Sequence, residues 1–467
     1  MAEGEGGHAP FRPHLSSVAQ SVVRNPIRTV ALKQQATPGC IGLAGGRPPV
    51  DVFPEAVKKW GDETFTNYGP HLAVGVPELR AWARDFVGAV HAPPGGFEGR
   101  DVLITSGNTD GITKAVMLLT DPGDVVLADE VTYPAIMAVS VPLGRRVVGV
   151  PLDGEGMNPE RLEAALAGLG AAKARLLYLV PHGQNPTGIT MPESRKDAIY
   201  EVARRHDLCI LEDDPYFFLR LTPSSPELGL EEGNMVGSRA PPRGFLSRDV
   251  DGRVIRLDSV SKVIAPGFRI GWVTGASAVL AKWATLAEIF TWSVSGVQQR
   301  AFLDIVRGWG QEGLHGHLQK LQLTYARRRS YLLAACEKHL EGLCKWSAPE
   351  FGMFFWLEVL GCEDTGKMVE ELIGSYGVAM VPGASFATPE GASDAPRRFF
   401  RVSFSGLDEE KADRAMLQLQ RFLRASSLPK AEGRKRPAEE AAEGAREPHP
   451  RLEAGAAAAP RVAAASA

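Results

Sequence analysis

Cysteine is scarce: the 467 residues hold five, Cys40, Cys209, Cys336, Cys344 and Cys362. They are scattered and odd in number, without the close pairing of a zinc site or a redox motif, so free thiols in a reducing compartment are expected. A surplus of one charge is missing as well. Lysine plus arginine number 52 against 55 aspartate plus glutamate, a formal net charge of -3, which removes the electrostatic footprint of a nucleic-acid or anionic-membrane binder. No uninterrupted apolar run approaches the roughly 20 residues of a membrane span. The opening "MAEGEGGHAPFRPHLSS" begins with acids and glycines, so it has the layout of neither a secretory signal nor a transit peptide. No GxGxxG follows the early strand-like runs, which disfavours a nicotinamide dehydrogenase. These absences leave a cytosolic protein acting on small molecules, with no nucleic acid, membrane or metal expected as partner.

What is present is ordinary globular composition, 44% hydrophobic and 23% charged, enough chain for two or three domains. Short apolar runs closed by turn residues recur between 101 and 275: "DVLITSG", "DVVLADE", "RRVVGVPL", "ARLLYLVPHG", "LCILEDDPY", "RVIRLDS" and "FRIGWVTG". Between two of them, "MPESRKDAIYEVARRHD" carries apolar residues at helical spacing, as a crossover helix does. The layout predicts a mostly parallel wound sheet, whose ligands gather at the carboxyl ends of the strands. After about residue 295, long amphipathic helices mix with strands such as "GMFFWLEVL" and "FFRVSFS", predicting a smaller domain of mixed type. The stretch 222–248 is polar and rich in Pro, Gly and Ser, so it is expected to be a surface loop. Beyond 428 the composition becomes low-complexity Ala, Glu, Arg and Pro, expected to be disordered.

The chemistry-bearing residues sit in the turns. In "RLDSVSKVIAPGFRIGW", Lys262 stands between Ser261 and Val263, with Ser259 before it and Arg269 after it. An amine there suits covalent capture of an aldehyde, and two hydroxyls with a guanidinium suit a phosphate dianion. An aldehyde and a phosphate together indicate pyridoxal 5'-phosphate. Its pyridine nitrogen needs a carboxylate, and "LCILEDDPY" supplies Asp213 at a strand end, with Tyr216 three residues on and Pro215 holding the segment extended. Asn185, in "HGQNPTG", offers a second donor to the phenolic oxygen. "LITSGNTDG" places Gly107, Asn108 and Thr109 where a helix begins, and free amides at a helix start bind anions. Tyr133, in "DEVTYP", is placed to stack on the ring. Arg401 alternates with apolar residues in "RRFFRVSFSG", and an inward guanidinium requires an anion such as a substrate carboxylate.

The series "SGNTDG", "DEVTYP", "QNPTG", "EDDPY", "DSVSK" with "FRIGW", and "RVSFS" resembles the class I/II aminotransferases. It is most similar to the branch of kynurenine/2-aminoadipate and aromatic amino acid aminotransferases, through "NPIRTV", "GLAGGRPP", "FPEA", "EDDPYFFL", "WGQEGL" and "GMFFWLEV". The likeness covers roughly 24–423. It implies fold type I: an α/β architecture with a seven-stranded, mostly parallel sheet in the large domain and a smaller α+β domain. The implied organisation is a tail at 1–23, an active-site-lining segment at 24–60, the large domain at 61–295, the small domain at 296–427 and a tail at 428–467.

By the same resemblance, Lys262 holds the cofactor and is the general base, Asp213 pairs with the ring nitrogen, and Asn185 and Tyr216 meet the phenolic oxygen. Gly107, Asn108, Thr109, Ser259, Ser261 and Arg269 cradle the phosphate, Tyr133 stacks on the ring, and Arg401 takes the substrate carboxylate. Arg28, Gly46, Arg47 and Phe354 match positions of the substrate pocket. Tyr68 matches a tyrosine that reaches the neighbouring subunit's phosphate, which implies a homodimer. The implied reaction moves an amino group from an aromatic amino acid, 2-aminoadipate or kynurenine to a 2-oxo acid such as 2-oxoglutarate. A lyase or decarboxylase of the same fold, and a non-catalytic ligand sensor, stay open as alternatives.

Overall fold

The computed structural model describes residues 11–22, 38, 73–221 and 243–426. They begin with helices α1 (Ser17–Ser21) and α2 (Pro77–His91), then β1 (Arg100–Thr105), α3 (Asn108–Leu119), β2 (Val125–Asp129), α4 (Ala135–Ser140) and β3 (Arg146–Val150). A hairpin of β4 (Leu152–Asp153) and β5 (Gly156–Met157) leads to α5 (Pro159–Gly168), β6 (Ala174–Leu179), α6 (Glu193–Arg205) and β7 (Cys209–Asp213). Next come β8 (Val254–Ser259), β9 (Gly271–Ala276), α7 (Ser277–Phe290) and the helical run α8 (Gly296–Leu340). That run is broken at Gly310, whose φ of 59° and ψ of -165° leave the helical region. The described residues finish with β10 (Cys344–Trp346), β11 (Phe354–Val359), α9 (Val369–Tyr376), β12 (Val381–Pro382), β13 (Phe399–Ser403) and α10 (Glu409–Ala425).

All seven apolar runs become strands of one sheet, ordered β1-β9-β8-β7-β6-β2-β3. The pairs β3/β2, β2/β6, β6/β7 and β7/β8 are parallel, while β9 runs antiparallel to both neighbours. The last strands form a separate antiparallel sheet, β10-β11-β13-β12. The fold is therefore the expected α/β sheet with a second α+β portion.

The strands read as continuous apolar runs because both faces of the large sheet are covered. Tyr178, Leu211 and Leu257 join one core with Ile112, Ala115 and Val116 of α3. Leu177, Ile210 and Val254 join another with Leu79 of α2 and Ile199 of α6. Each fully buried leucine or isoleucine contributes about 1.5–3 kcal/mol. The same alternation sorts the acids at the end of β7. Asp213 follows Leu211 onto the α3 face, and Glu212 follows Ile210 onto the α6 face.

Three local expectations change. Residues 222–242 of the expected surface loop lie outside the described ones, but its end is core: Phe245 and Leu246 are fully buried. Their amides donate to Glu212 at 2.7 and 3.0 Å, so a polar average concealed two apolar anchors. The segment after Asp213 is a turn rather than extended, closed by Leu219 N donating to Tyr216 O at 2.8 Å. Finally, Phe268 belongs to a short 3-10 turn, Pro266–Phe268, and β9 starts only at Gly271.

Candidate active site

The turn from β1 into α3 and the turn from β8 into β9 meet. Gly107 caps α3 with a φ of 79°, a conformation that suits glycine. A Cβ there would lie 2.5 Å from Arg269 Nη2, so the missing side chain is what admits the guanidinium. Arg269 Nη1 donates to Ser261 Oγ at 3.2 Å, and Nη2 to Ser106 O at 3.0 Å. Ser259 Oγ donates to Ser261 Oγ at 2.9 Å. Asn108 and Thr109 open α3, where amides lack intrahelical acceptors. Among the described residues no carboxylate pairs with Arg269, so its charge is left for a ligand.

Asp213 ends β7 almost fully buried. Tyr178 Oη donates to its Oδ2 at 2.6 Å and Asn108 Nδ2 to its Oδ1 at 2.6 Å. Asn108 thus serves the acid with its side chain, while its amide stays at the helix start. Burial pushes the carboxyl of Asp213 up to about 6, against the lowering effect of these donors.

Asn185 is buried in the turn that follows β6, and Arg401 Nη1 donates to its Oδ1 at 3.0 Å. The Arg401 guanidinium lies 4.4 Å from the Phe354 ring centre and 4.9 Å from that of Phe386. Its Nε is buried with no hydrogen-bond partner among the described residues, a donor that a ligand carboxylate would satisfy. Tyr216 packs edge-on to Phe354 at 5.8 Å and bears on the Asn185 side chain. Its phenol is pushed above the usual range by burial and by the nearby Asp213. Burial lowers the Arg401 guanidinium, against the charges of Tyr216 and Tyr133.

Lys262 is half-buried in the turn after β8, where His317 Nε2 meets Val263 O at 2.6 Å. Its ammonium has no hydrogen-bond partner among the described residues. Burial lowers it first, then the positive charges of Arg401 and Arg269, with Asp213 pulling the other way. Lys262 therefore shares one electrostatic site with both arginines and the acid. Arg28, Gly46, Arg47 and Tyr68 lie outside the described residues.

Two contributors escaped the sequence reading. Tyr178 is fully buried on β6, and a phenol inside a core strand requires a partner. Gln184 Nε2 donates to Asp129 Oδ2 at 3.0 Å and to Val131 O at 2.6 Å, tying the Asn185 turn to the end of β2. Its place beside Asn185 in the turn motif was the available signal.

This donor set fits pyridoxal phosphate: an amine for the aldehyde, a buried acid for the ring nitrogen, and a carboxylate-free guanidinium with two hydroxyls for the phosphate. The fold and site define a pyridoxal-phosphate-dependent enzyme of fold type I. Residues 38–419 match the model of the aminotransferase class I and II family, and the chain belongs to that family. It is 34% identical over 426 residues to the kynurenine/alpha-aminoadipate aminotransferase, mitochondrial, of Rattus norvegicus, covering 86% of this chain and 96% of that protein. An aromatic amino acid aminotransferase of Schizosaccharomyces pombe is 36% identical over 354 residues, covering 72% of this chain and 74% of that protein. Among solved structures, a kynurenine aminotransferase of Pyrococcus horikoshii, in complex with PMP, superposes with a TM-score of 0.69 at 30% identity, covering 88% of this chain and 96% of that one. The protein is an aminotransferase. Among the described residues, no helix is long and apolar enough to cross a membrane.

Proposed function

We propose that this aminotransferase takes the amino group of an aromatic amino acid, 2-aminoadipate or kynurenine and passes it to a 2-oxo acid such as 2-oxoglutarate. The observation that carries the reading is charge: Lys262, Arg269 and Arg401 bear on one site with a single buried acid, Asp213. Such a surplus suits a ligand pair bringing a phosphate and a carboxylate. The names of the rat and fission yeast relatives support the choice of donors.

Bound pyridoxal phosphate supplies an aldehyde to take the amino group and a ring to accept the electron pair left when the alpha C–H bond breaks. Arg269, Ser259, Ser261 and the amides of Gly107, Asn108 and Thr109 hold the phosphate, and Tyr133 covers the ring. Asp213 would hold the proton on the ring nitrogen, because a carboxylate beside that nitrogen favours its cationic form. Asn185 and Tyr216 donate to the phenolic oxygen. Arg401 would receive the substrate carboxylate at Nε, which has no partner among the described residues. Lys262 Nζ takes the alpha proton, a role helped by an environment that lowers its affinity for protons. Phe354, with Gly46, Arg47 and Arg28, borders the side-chain pocket.

The active form is a homodimer in which Tyr68 reaches the neighbouring subunit's phosphate, and the enzyme works in the cytosol with the domain boundaries given above. The mitochondrial name of the rat relative makes cell fractionation the check on the compartment. The function is tested by borohydride trapping and a panel of amino donors against 2-oxoglutarate. A phosphopyridoxyl adduct on the Lys262 peptide and turnover of aromatic donors or 2-aminoadipate are expected. An adduct elsewhere, or release of ammonia or carbon dioxide without an oxo-acid, would overturn it.

A further inference from the structure

Behind Asp213, on the opposite face of β7, lies a buried chain of ionisable groups. Lys196 Nζ, fully buried, donates to Glu193 Oε1 at 2.7 Å and contacts His182 Nε2 at 3.2 Å. His182 Nδ1 lies 2.8 Å from Asp214 Oδ2. Asp214 Oδ2 also meets Arg256 Nη1 at 3.0 Å, and Arg256 bonds Asp258 and Glu212 in turn. An ammonium donates and has no acceptor, so His182 Nε2 accepts from Lys196, and Nδ1 carries the hydrogen that Asp214 accepts. Lys196 thereby selects the tautomer of His182.

The connectivity gives that bond a consequence. His182 stands three residues before Asn185, and Asp214 stands two before Tyr216. The turn that bears Asn185 is held to the end of β2 by Gln184 and backs onto Phe351 and Gly352 at Gly183, where a Cβ would lie 2.6 Å from the Phe351 carbonyl carbon. Among the described residues, His182–Asp214 is the hydrogen bond that ties this turn to the end of β7, apart from the contact of Asn185 with Tyr216. The imidazole is wedged between Phe217, at 5.4 Å, and Phe351, at 5.5 Å, so it has no room to swing away.

We propose that His182 is a positioning residue: by donating from Nδ1 to Asp214, it sets the separation of the Asn185 and Tyr216 turns so that both side chains converge on one oxygen of the bound cofactor. This rests on the reading of Asn185 and Tyr216 as partners of the phenolic oxygen. Two donors aimed at that oxygen favour its anionic form. When the turns drift apart the anion is less supported, so the pH midpoint of the cofactor's visible absorption rises. Proton transfer suffers with it, because a misplacement of about 1 Å costs on the order of a hundredfold in rate. Arg401 stays on β13 of the other sheet, but its bond to Asn185 Oδ1 loosens as that turn moves, so the hold on the substrate carboxylate weakens less than proton transfer does.

The test uses the holoenzyme as wild type, Tyr216→Phe, His182→Leu, His182→Asn and His182→Gln. Asparagine carries its amide nitrogen near the position of imidazole Nδ1 and keeps the bond to Asp214, whereas glutamine carries it near Nε2 and loses it. Expected are a midpoint raised by about one unit and a kcat lowered about tenfold in the Leu and Gln variants, with KM for the amino donor raised by a smaller factor than kcat falls, and near-normal values for Asn. If the Leu variant fails to fold, the Asn and Gln pair reads the same contrast. A Gln variant indistinguishable from Asn, while Tyr216→Phe raises the midpoint, overturns the role of His182. A Tyr216→Phe midpoint equal to wild type overturns the assignment of the phenolic-oxygen partners, and this inference with it.

Discussion

Asp213→Asn should stabilise the cofactor-free protein while disabling the enzyme. Burial holds the Asp213 carboxyl at about 6 against a usual 3.8. A rise of about two units at roughly 1.4 kcal/mol each puts the penalty for keeping the charge in the folded protein at about 3 kcal/mol. Because the folded-state value lies above the unfolded one, the folded state binds the proton more tightly. Below about pH 4 both states are protonated and no penalty exists. As pH rises from about 4 to about 6 the unfolded chain loses its proton first, stability falls, and above about 6 the full penalty remains. Asparagine carries no charge and keeps an acceptor for Asn108, while its Nδ2 turns Tyr178 Oη from donor to acceptor, so the charge penalty is removed at the cost of one donor's partner. Urea unfolding followed by tryptophan fluorescence should therefore show the cofactor-free variant more stable by up to about 3 kcal/mol at pH 7.5, with the gain fading towards pH 4. Adding pyridoxal phosphate should reverse the order, because the ring cation pairs with the wild-type carboxylate and binding to the folded state adds stability. A variant less stable at pH 7.5, or a gain that does not change with pH, would refute the reasoning by showing that packing outweighs charge at this position.

Gly107→Ala should weaken cofactor binding about tenfold or more, since the added Cβ falls 2.5 Å from Arg269 Nη2. Unfolding of the cofactor-free protein should shift by about 1–3 kcal/mol for a backbone, φ 79° and ψ 174°, that glycine alone adopts readily, and an unchanged dissociation constant in a fluorescence titration would disprove the cradle. Mixing two crippled proteins, Lys262→Ala and Tyr68→Phe, should restore activity if subunits exchange, because one hybrid site then holds both native residues. A mixture no better than its parts, with hybrids confirmed by native mass spectrometry, would remove Tyr68 from the neighbouring site.

The seven strands were legible because the large sheet is covered on both faces, which writes each strand as an apolar run with polar residues crowded at its end. Asp213, Asn185, Lys262 and Arg269 all sit at such ends, so the strand pattern that located the sheet also located the site. What lies across from a residue is not written in its neighbours. Asn108 was read for its amide, and only the packing of α3 against β7 shows its side chain on Asp213. Arg256 reads as one charge in an apolar run, yet it is fully buried and bonded to Asp258, with Glu212 and Asp214 within 3.0 Å. Phe245 and Leu246 were hidden because their burial depends on Glu212, more than thirty residues earlier in the chain.

Arg256 limits the interference among three consecutive acids at a strand end, since its charge offsets the push of Asp214 on Asp213. Its donors are taken by Glu212 and Asp214 from the β7 end and by Asp258 from its own strand, and those carboxylates hold the guanidinium above its usual range. Against its burial, Asp214 is held well below the usual carboxylate range by the charge of Arg256 and the hydrogen bond from His182. Asp213 projects to the other face, where its close hydrogen-bond partners are the neutral Tyr178 and Asn108. Neutral donors orient a carboxylate without cancelling its charge. Had Arg256 faced Asp213 instead, a fully buried guanidinium would have competed with the cofactor's ring nitrogen for the same carboxylate. The two-residue alternation of one β-strand therefore separates a neutralised structural cluster from a buried acid whose charge stays available to the cofactor.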